Sequence, residues 1–339
     1  MSTRPLLFLH GIRGSRLAID GPQGPEIIWE LADESHPLGH LLGLHHDDAG
    51  RELPADPARP VFPLDLEPEV YGPFLAWAAV RGPLIAPAWD WRMAPDQAAR
   101  SVAHRVPAGQ LDVVSHSMGL HVLGELVRTG VLPMERMRRL ALVAPSFGGA
   151  LDILHVLLSG CDREADEGDA TGRAYGHIVR SLPSLYRLLP VPGHGLLTNG
   201  DGHDLDPLEF TCWPSDALGE GERHRRTLEG LLEGARRDRE RLAHFTASLP
   251  ELGERLLILA GSGQVTPVRC RMAGDDLSCL ASHLEFSAEG DGRLSLGAQQ
   301  PAAGGLARDV FGREGAPVSH GDILRRPEVL DRLRAFLDA

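Results

Sequence analysis

The sequence predicts an α/β fold in which a mainly parallel sheet is covered by helices on both faces. Two observations predict it: short apolar runs recur with helix-patterned segments between them, and one run passes through a tight turn straight into a helix. A third, the polar and loop-rich middle of the chain, breaks that rhythm and predicts an insertion into the core.

The apolar runs are Leu6–Leu9, Leu84–Ala86, Leu111–Val114, Leu140–Val143, Leu256–Leu259 and Leu284–Phe286, each short enough for a buried strand. After the third, Met118–Arg128 puts Val122, Leu123, Leu126 and Val127 on one side of a helix before Gly130, a C-terminal stop signal. At the far end Pro327 opens a helix whose Val329, Leu330, Leu333, Phe336 and Leu337 share one face. Between lie an acidic loop (Asp162–Asp169), a Gly-rich loop (Pro192–Gly202) and an Arg/Glu-rich helix. The expected division is therefore residues 1–150 as the first part of the core with a lid at about 26–66, residues 151–250 as a cap, and residues 251–339 as the remainder of the core.

Composition limits the function. At 339 residues, with 42% hydrophobic and 24% charged residues, the chain folds by burial. A net charge of -13 without a basic run excludes nucleic acid as a partner, since phosphates need Lys or Arg, and disfavours steady attachment to an anionic membrane. Cys161, Cys212, Cys270 and Cys279 lack C-x-x-C spacing, so free thiols are expected rather than a zinc or redox site. The start of the chain runs almost at once into RPLLFLHG, which does not read as a secretory signal, and a cytoplasmic location is expected. No apolar run approaches the ~20 residues of a spanning helix.

Chemistry enters at Leu111-Asp112-Val113-Val114-Ser115-His116-Ser117-Met118-Gly119. A strand that turns sharply into a helix projects the turn residue out of the sheet, and small neighbours allow backbone and helix to approach. The segment reads as the nucleophile elbow of an α/β-hydrolase fold, with Ser117 as nucleophile; the alternative is an ordinary strand, turn and helix that contains a serine. Gly119 satisfies the position two after it, whereas Ser115 stands where glycine is usual two before. The segment Leu7-Phe8-Leu9-His10-Gly11-Ile12-Arg13-Gly14-Ser15 ends another strand in a glycine-bearing loop. Acyl transfer forms an oxyanion that two aimed backbone N–H groups stabilise. Met118 would supply one and Arg13 the other, with Ile12 one residue away.

At this point the sequence resembles the lecithin:cholesterol acyltransferase family, which includes lysosomal-type phospholipases and phospholipid:diacylglycerol acyltransferases. The matching blocks, in order, are LHGIRGS, Ala88-Trp89-Asp90-Trp91-Arg92, SHSMG, Ala144-Pro145-Ser146-Phe147-Gly148-Gly149, Leu182 to Pro190, Gly290-Asp291-Gly292 and Ser319-His320-Gly321-Asp322-Ile323-Leu324. The resemblance implies an α/β-hydrolase core with a cap and a membrane-facing lid acting on acyl esters of lipids. It also implies Asp291 as catalytic carboxylate and His320 as catalytic base. The order Ser, Asp, His agrees with that of the fold. Two departures stand out: Arg293-Leu294 follows Asp291 where the family often has Thr-Val, and no Cys lies in the lid stretch that animal members close with a disulfide.

Rival readings accompany each residue. His283 is a second candidate base, but it precedes Asp291; Asp322 is a second carboxylate, so close to His320 that a local hydrogen bond is expected instead. Asp90, Trp91 and Arg92 form either a substrate clamp or, preferably, a buried ion pair and ring behind the site. Trp29, with Leu38, Leu41, Leu42 and Leu44, reads as an exposed apolar lid that meets lipid or as a packed loop. His36, His40, His45, His46, Asp47 and Asp48 have zinc-like spacing without a companion Cys or glutamate pattern, so no metal is expected, and a serine mechanism calls for no cofactor.

The function expected is a serine acyl-hydrolase for lipid esters, a phospholipase A or a lipase. The alternatives are a lipid acyltransferase and an inactive hydrolase-like scaffold or sensor. Because a phospholipase threatens its own cell, a regulatory protein partner, or export as a toxic effector, is part of the expectation. Contact with a membrane surface would be transient.

Overall fold

The computed structural model describes residues 4–31, 37–47, 52–159, 176–214, 217, 221–272, 277, 283–302, 304–313 and 315–339. The first half contains β1 (Leu6–Leu9), β2 (Ser15–Gly21), β3 (Gly24–Trp29), β4 (Leu44–His46), β5 (Glu52–Pro54), β6 (Phe62–Leu66), α1 (Pro68–Ala79), β7 (Leu84–Ile85), α2 (Pro95–Val102), β8 (Leu111–His116), α3 (Gly119–Arg128) and β9 (Met137–Val143). The second half contains α4 (Leu151–Ser159), α5 (Pro183–Tyr186), β10 (Leu197–Thr198), α6 (Glu222–Ser248), β11 (Leu256–Gly261), β12 (Thr266–Arg271), β13 (Leu284–Ser287), β14 (Asp309–Phe311) and α7 (Pro327–Asp338).

Six strands form the central sheet in the order β14-β11-β9-β8-β1-β7, and every neighbouring pair is parallel. Apolar side chains occupy both faces because the strand pleat sends alternate residues to opposite sides. Leu7 and Leu9 enter one cluster with Leu120, Leu123 and Leu126 of α3 and with Ala98 and Val102 of α2. Leu6 and Phe8 enter the other with Tyr71 and Phe74 of α1 and with Leu333 and Phe336 of α7. Helices therefore cover both faces, and the chain has the α/β-hydrolase fold. The Pro-initiated C-terminal helix docks as its apolar face requires.

Three parts of the fold differ from the sequence expectation. Leu284–Phe286 is a strand, but it pairs antiparallel with β12 in a three-stranded sheet with β10, outside the central sheet. The sixth central strand is instead β14, three half-buried residues aligned with Leu259–Gly261. The stretch expected as a lid contributes strands: β3 and β6 flank β2 in a third sheet. Within that stretch Trp29, Leu41, Leu42 and Leu44 are buried in a cluster with α4 and α5, so the packed alternative is the one observed. The residues are apolar enough to be covered, and the fold covers them.

The polar middle is tied to the core at several points. The first half of α6 packs Leu228, Leu231 and Leu232 into the cluster beneath α4 and α5, while Leu242 and Phe245 pack against α3. Gly124 lets that contact close, since a Cβ there would lie 3.3 Å from Phe245. Two of the sequence blocks also meet: the Ala150 N–H donates to Leu188 O (2.8 Å) and the Val191 N–H to Gly148 O (2.9 Å).

Candidate active site

Ser117, Asp291, His320 and the loop that carries Arg13 meet in one cleft beside the carboxyl ends of β1 and β8, where ligands of open α/β sheets bind. Ser117 follows β8 in the middle of the sheet with φ at 54°, a left-handed conformation that costs a non-glycine residue about 1–3 kcal/mol. The turn is held by the Ser117 N–H donating to Val143 O (3.0 Å) and the Leu120 N–H to Ser117 O (3.1 Å). Two glycines allow it. A Cβ on Gly119 would sit 2.5 Å from Leu9 O, and one on Gly11 would sit 2.8 Å from the Ser117 Cβ. Ser115, which stands where glycine is usual, fits as a buried side chain.

His320 reaches Ser117 from the loop after β14. Its Nε2 lies 2.8 Å from Ser117 Oγ, and its Nδ1 lies 2.7 Å from Asp291 Oδ2. Asp291 sits on the loop following β13, where its main chain bridges to Gln264 beyond β11. Its side chain is fully buried, and Oδ1 accepts the N–H groups of Arg293 (3.0 Å) and Leu294 (2.7 Å). An ionised carboxylate so bonded can orient a donating Nδ1–H, which leaves Nε2 free to accept the Ser117 proton. The loop is braced by Gln299, which exchanges hydrogen bonds with the Gly261 N–H and C=O (2.9 and 3.0 Å), and by Thr266 Oγ1, which accepts the Gly292 N–H (2.8 Å).

The loop after β1 lies against the same cleft. Ile12, Arg13 and Gly14 all line it, and Arg13 takes φ of 57°, so the chain turns at that residue. Met118, directly after the nucleophile, is buried at the start of α3. His10 locks the base of the loop: its Nε2 accepts the Trp89 N–H (3.3 Å), its Nδ1–H donates to Gly11 O (2.7 Å), and its ring stacks on Trp89 at 3.4 Å. Burial lowers its pKa to about 3 against a smaller upward pull from the Gly11 bond, so it is neutral.

The cleft encloses about 440 Å³ and is walled mainly by apolar side chains, among them Trp29, Leu42, Trp91, Ile153, Val156, Val179 and Leu182. Trp29 and Leu42 thus face the cleft from a packed wall, whereas Leu41 lies in the core and does not line it. Among the residues that line it, Arg13 stands over the Trp29 ring at 5.8 Å and Arg293 pairs with Asp152 at 2.8 Å.

Of the rival residues, Trp91 walls the cleft, whereas Asp90, Arg92, His283 and Asp322 do not line it. Arg92 is buried and grips Asp90 with two nitrogens (2.8 and 2.6 Å), and its third donates to the carbonyls of Leu42 (3.0 Å) and Leu41 (3.3 Å). These bonds tie it to the wall of the cleft, as the buried ion pair expected of it. Asp322 bonds Ser319 Oγ (2.8 Å), closing a local turn. His283 precedes β13 and does not line the cleft. His46 Nε2 bonds Ser181 O (2.9 Å), and no group that could hold a metal occurs among the described residues; His36, Asp48, Cys161 and Cys279 lie outside them. Cys212 and Cys270 are buried.

Sequence reasoning missed Tyr71, His116, Thr266 and Gln299. Each acts through partners tens to hundreds of positions away, and no spacing rule reports such pairs. His116 was visible only as the neighbour of Ser117.

No family model and no curated protein matches the chain. Among solved structures, one described as the Tle4–Tli4 complex aligns at a TM-score of 0.62 with 13% identity, over 99% of this chain and 98% of that one. At that identity the likeness establishes the shared fold. A membrane phospholipase A described as a bacterial virulence factor and a lipase of Bacillus licheniformis both align at a TM-score of 0.32, with 13% and 11% identity. They are covered over 79% and 91% of their lengths and 99% of this chain, and at that TM-score neither adds weight.

Proposed function

We propose that this chain is a serine ester hydrolase acting on acyl esters of lipids, as a phospholipase A or a lipase. The observation that carries the reading is the His320 ring bridging the Ser117 hydroxyl at 2.8 Å and the Asp291 carboxylate at 2.7 Å. The apolar cleft supports lipid acyl chains over small polar esters. The resemblance to the lecithin:cholesterol acyltransferase family rests on the sequence blocks.

In this reading Ser117 Oγ attacks the ester carbonyl carbon while its proton passes to His320 Nε2. The carbonyl electron pair moves onto oxygen, and the main-chain N–H groups of Met118 and Arg13 hold the resulting oxyanion. Collapse expels the alcohol, which takes the proton from His320 and leaves an acyl-Ser117 ester. Water, deprotonated by His320, then attacks that ester; fatty acid departs and Ser117 regains its proton. Asp291 stabilises the imidazolium in both halves.

The partner expectation belongs to the same proposal. The structure of shared fold is described as the Tle4–Tli4 complex, and a protein that covers the cleft would restrain lipid hydrolysis here. The pure protein, supplied with short- and long-chain p-nitrophenyl esters and with phospholipid vesicles, is expected to release fatty acid and to prefer long chains. Full loss in Ser117→Ala and in His320→Gln is expected. Residual turnover unchanged in either variant sinks the proposal, and product esters formed when an alcohol is added would redirect it to acyl transfer.

A further inference from the structure

We infer that Tyr71 and His116 are a positioning pair: Tyr71 holds His116 in its neutral, Nε2-protonated form, and His116 in that form anchors the main chain of His320 within reach of Ser117. The inference rests on the proposed roles of Ser117 and His320.

The hydrogen-bond directions leave one arrangement. His116 Nε2 lies 3.1 Å from the His320 carbonyl, which only accepts, so Nε2 must carry the proton. Nδ1 is then a lone pair, and the Tyr71 hydroxyl 2.8 Å away donates to it. The Tyr71 oxygen in turn accepts the Gly11 N–H at 3.0 Å. Three donors meet three acceptors in one direction. The chain of bonds starts in the loop after β1, crosses α1, passes the residue before the nucleophile and ends on the loop of the base. Moving the proton to His116 Nδ1 would set a lone pair against the His320 carbonyl and leave that carbonyl without its donor.

His320 is consequently held on four sides. Its ring bonds Ser117 and Asp291, its N–H donates to Asp291 O (2.8 Å), and its C=O receives His116. The two imidazoles also lie side by side, with ring centroids 4.9 Å apart. Proton transfer from Ser117 makes His320 cationic, and a second cation beside it would oppose that step. The groups facing His116 are His320 with Asp291 behind it, His10 from the end of β1, and Tyr71 from α1. Burial first, then His320 and His10, hold the His116 pKa well below the usual imidazole range. The Tyr71 proton occupies the site that a second proton would take.

Histidine-labelled protein examined by NMR, together with pH–rate profiles, tests the pair. The parent is expected to show His116 as the Nε2–H tautomer without titration from about pH 5 to 9. Its kcat/KM should fall with one proton on the acid side. In Tyr71→Phe, His116 should titrate inside that window and a second protonation should steepen the acid limb, with kcat at least tenfold lower near pH 6 and KM changed less than twofold. The double variant Tyr71→Phe/His116→Gln should return to a one-proton limb, because an amide cannot titrate. His116→Gln, which retains a donor for the His320 carbonyl, should lose roughly tenfold less activity than His116→Ala.

A parent His116 in the Nδ1–H form, or a Tyr71→Phe profile and tautomer identical to the parent's, overturns the pair, as does a second protonation that persists in the double variant. The parent spectrum alone decides if Tyr71→Phe does not fold. A parent inert to esters, yet with the tautomer and the Tyr71→Phe shift as described, would reject the hydrolase reading and leave the network standing.

Discussion

Lowering the pH from 7 to 5 loads the unfolded chain with protons that the folded chain has no room for. His10, His116 and His121 are buried, and burial lowers their pKa values, to about 3 for His10, to about 4 for His121 and well below the usual value for His116. His121 lies in the first turn of α3 on its buried side, with Nε2 3.3 Å from Ser146 O and 3.2 Å from Ser146 Oγ. An unfolded histidine protonates near 6.5, so between that value and the folded ones the unfolded state binds more protons and stability rises with pH. The contribution is complete above about pH 7 and is lost as pH falls through the unfolded value toward the folded values. At pH 5 the loss is RT ln(1 + 10^1.5), about 2 kcal/mol for each of His10 and His121, hence about 4 kcal/mol together. His116 adds in the same direction. Set against a total stability of about 5–15 kcal/mol, the effect is large. Urea unfolding at pH 7, 6 and 5 should show a falling midpoint with constant slope, and His121→Gln should flatten the fall by about 2 kcal/mol. An unfolding free energy flat between pH 7 and 5, or a fall unchanged in His121→Gln, refutes the reasoning.

Other perturbations have defined outcomes. Asp291→Asn keeps the size of the side chain but presents an amide to His320 Nδ1, so kcat should fall on the order of 10³–10⁴-fold while thermal unfolding shifts little. Gly119→Ala puts a methyl against Leu9 O and should cost about 1–3 kcal/mol by chemical denaturation, with activity reduced because Met118 and Ser117 move with the turn. Arg92→Leu strands the Asp90 carboxylate and should destabilise by about 3–5 kcal/mol, whereas adding Asp90→Leu should recover much of the loss in the same unfolding assay.

The central sheet was legible because parallel strands buried on both faces are continuous apolar runs, and Leu6–Leu9 and Leu111–Val114 are such runs. Leu284–Phe286 was legible as a strand, but its pattern does not say which partner it has, and it pairs with β12 outside the central sheet. β14 escaped notice since Asp309–Phe311 is too short to carry a pattern, and pairing with β11 makes it a strand. Around the site, the strained turn gave Ser117 through Gly119, and the family blocks pointed to Asp291 and His320, which the fold brings together. The burial of Trp29 and Leu41 was not legible: an apolar stretch reads alike as lid or wall, and the decision lies in the covering elements α4 and α5. The bonds of Tyr71 and His116 were hidden for a related reason, since partners 45 and 204 residues apart leave no local trace.

Covalent trapping of the nucleophile tests the account most directly. After incubation with a fluorophosphonate, intact-mass and peptide mass spectrometry should find a single adduct on Ser117, absent in Ser117→Ala and formed far more slowly in His320→Gln. A parent protein that stays unmodified, or an adduct that survives in Ser117→Ala, contradicts it.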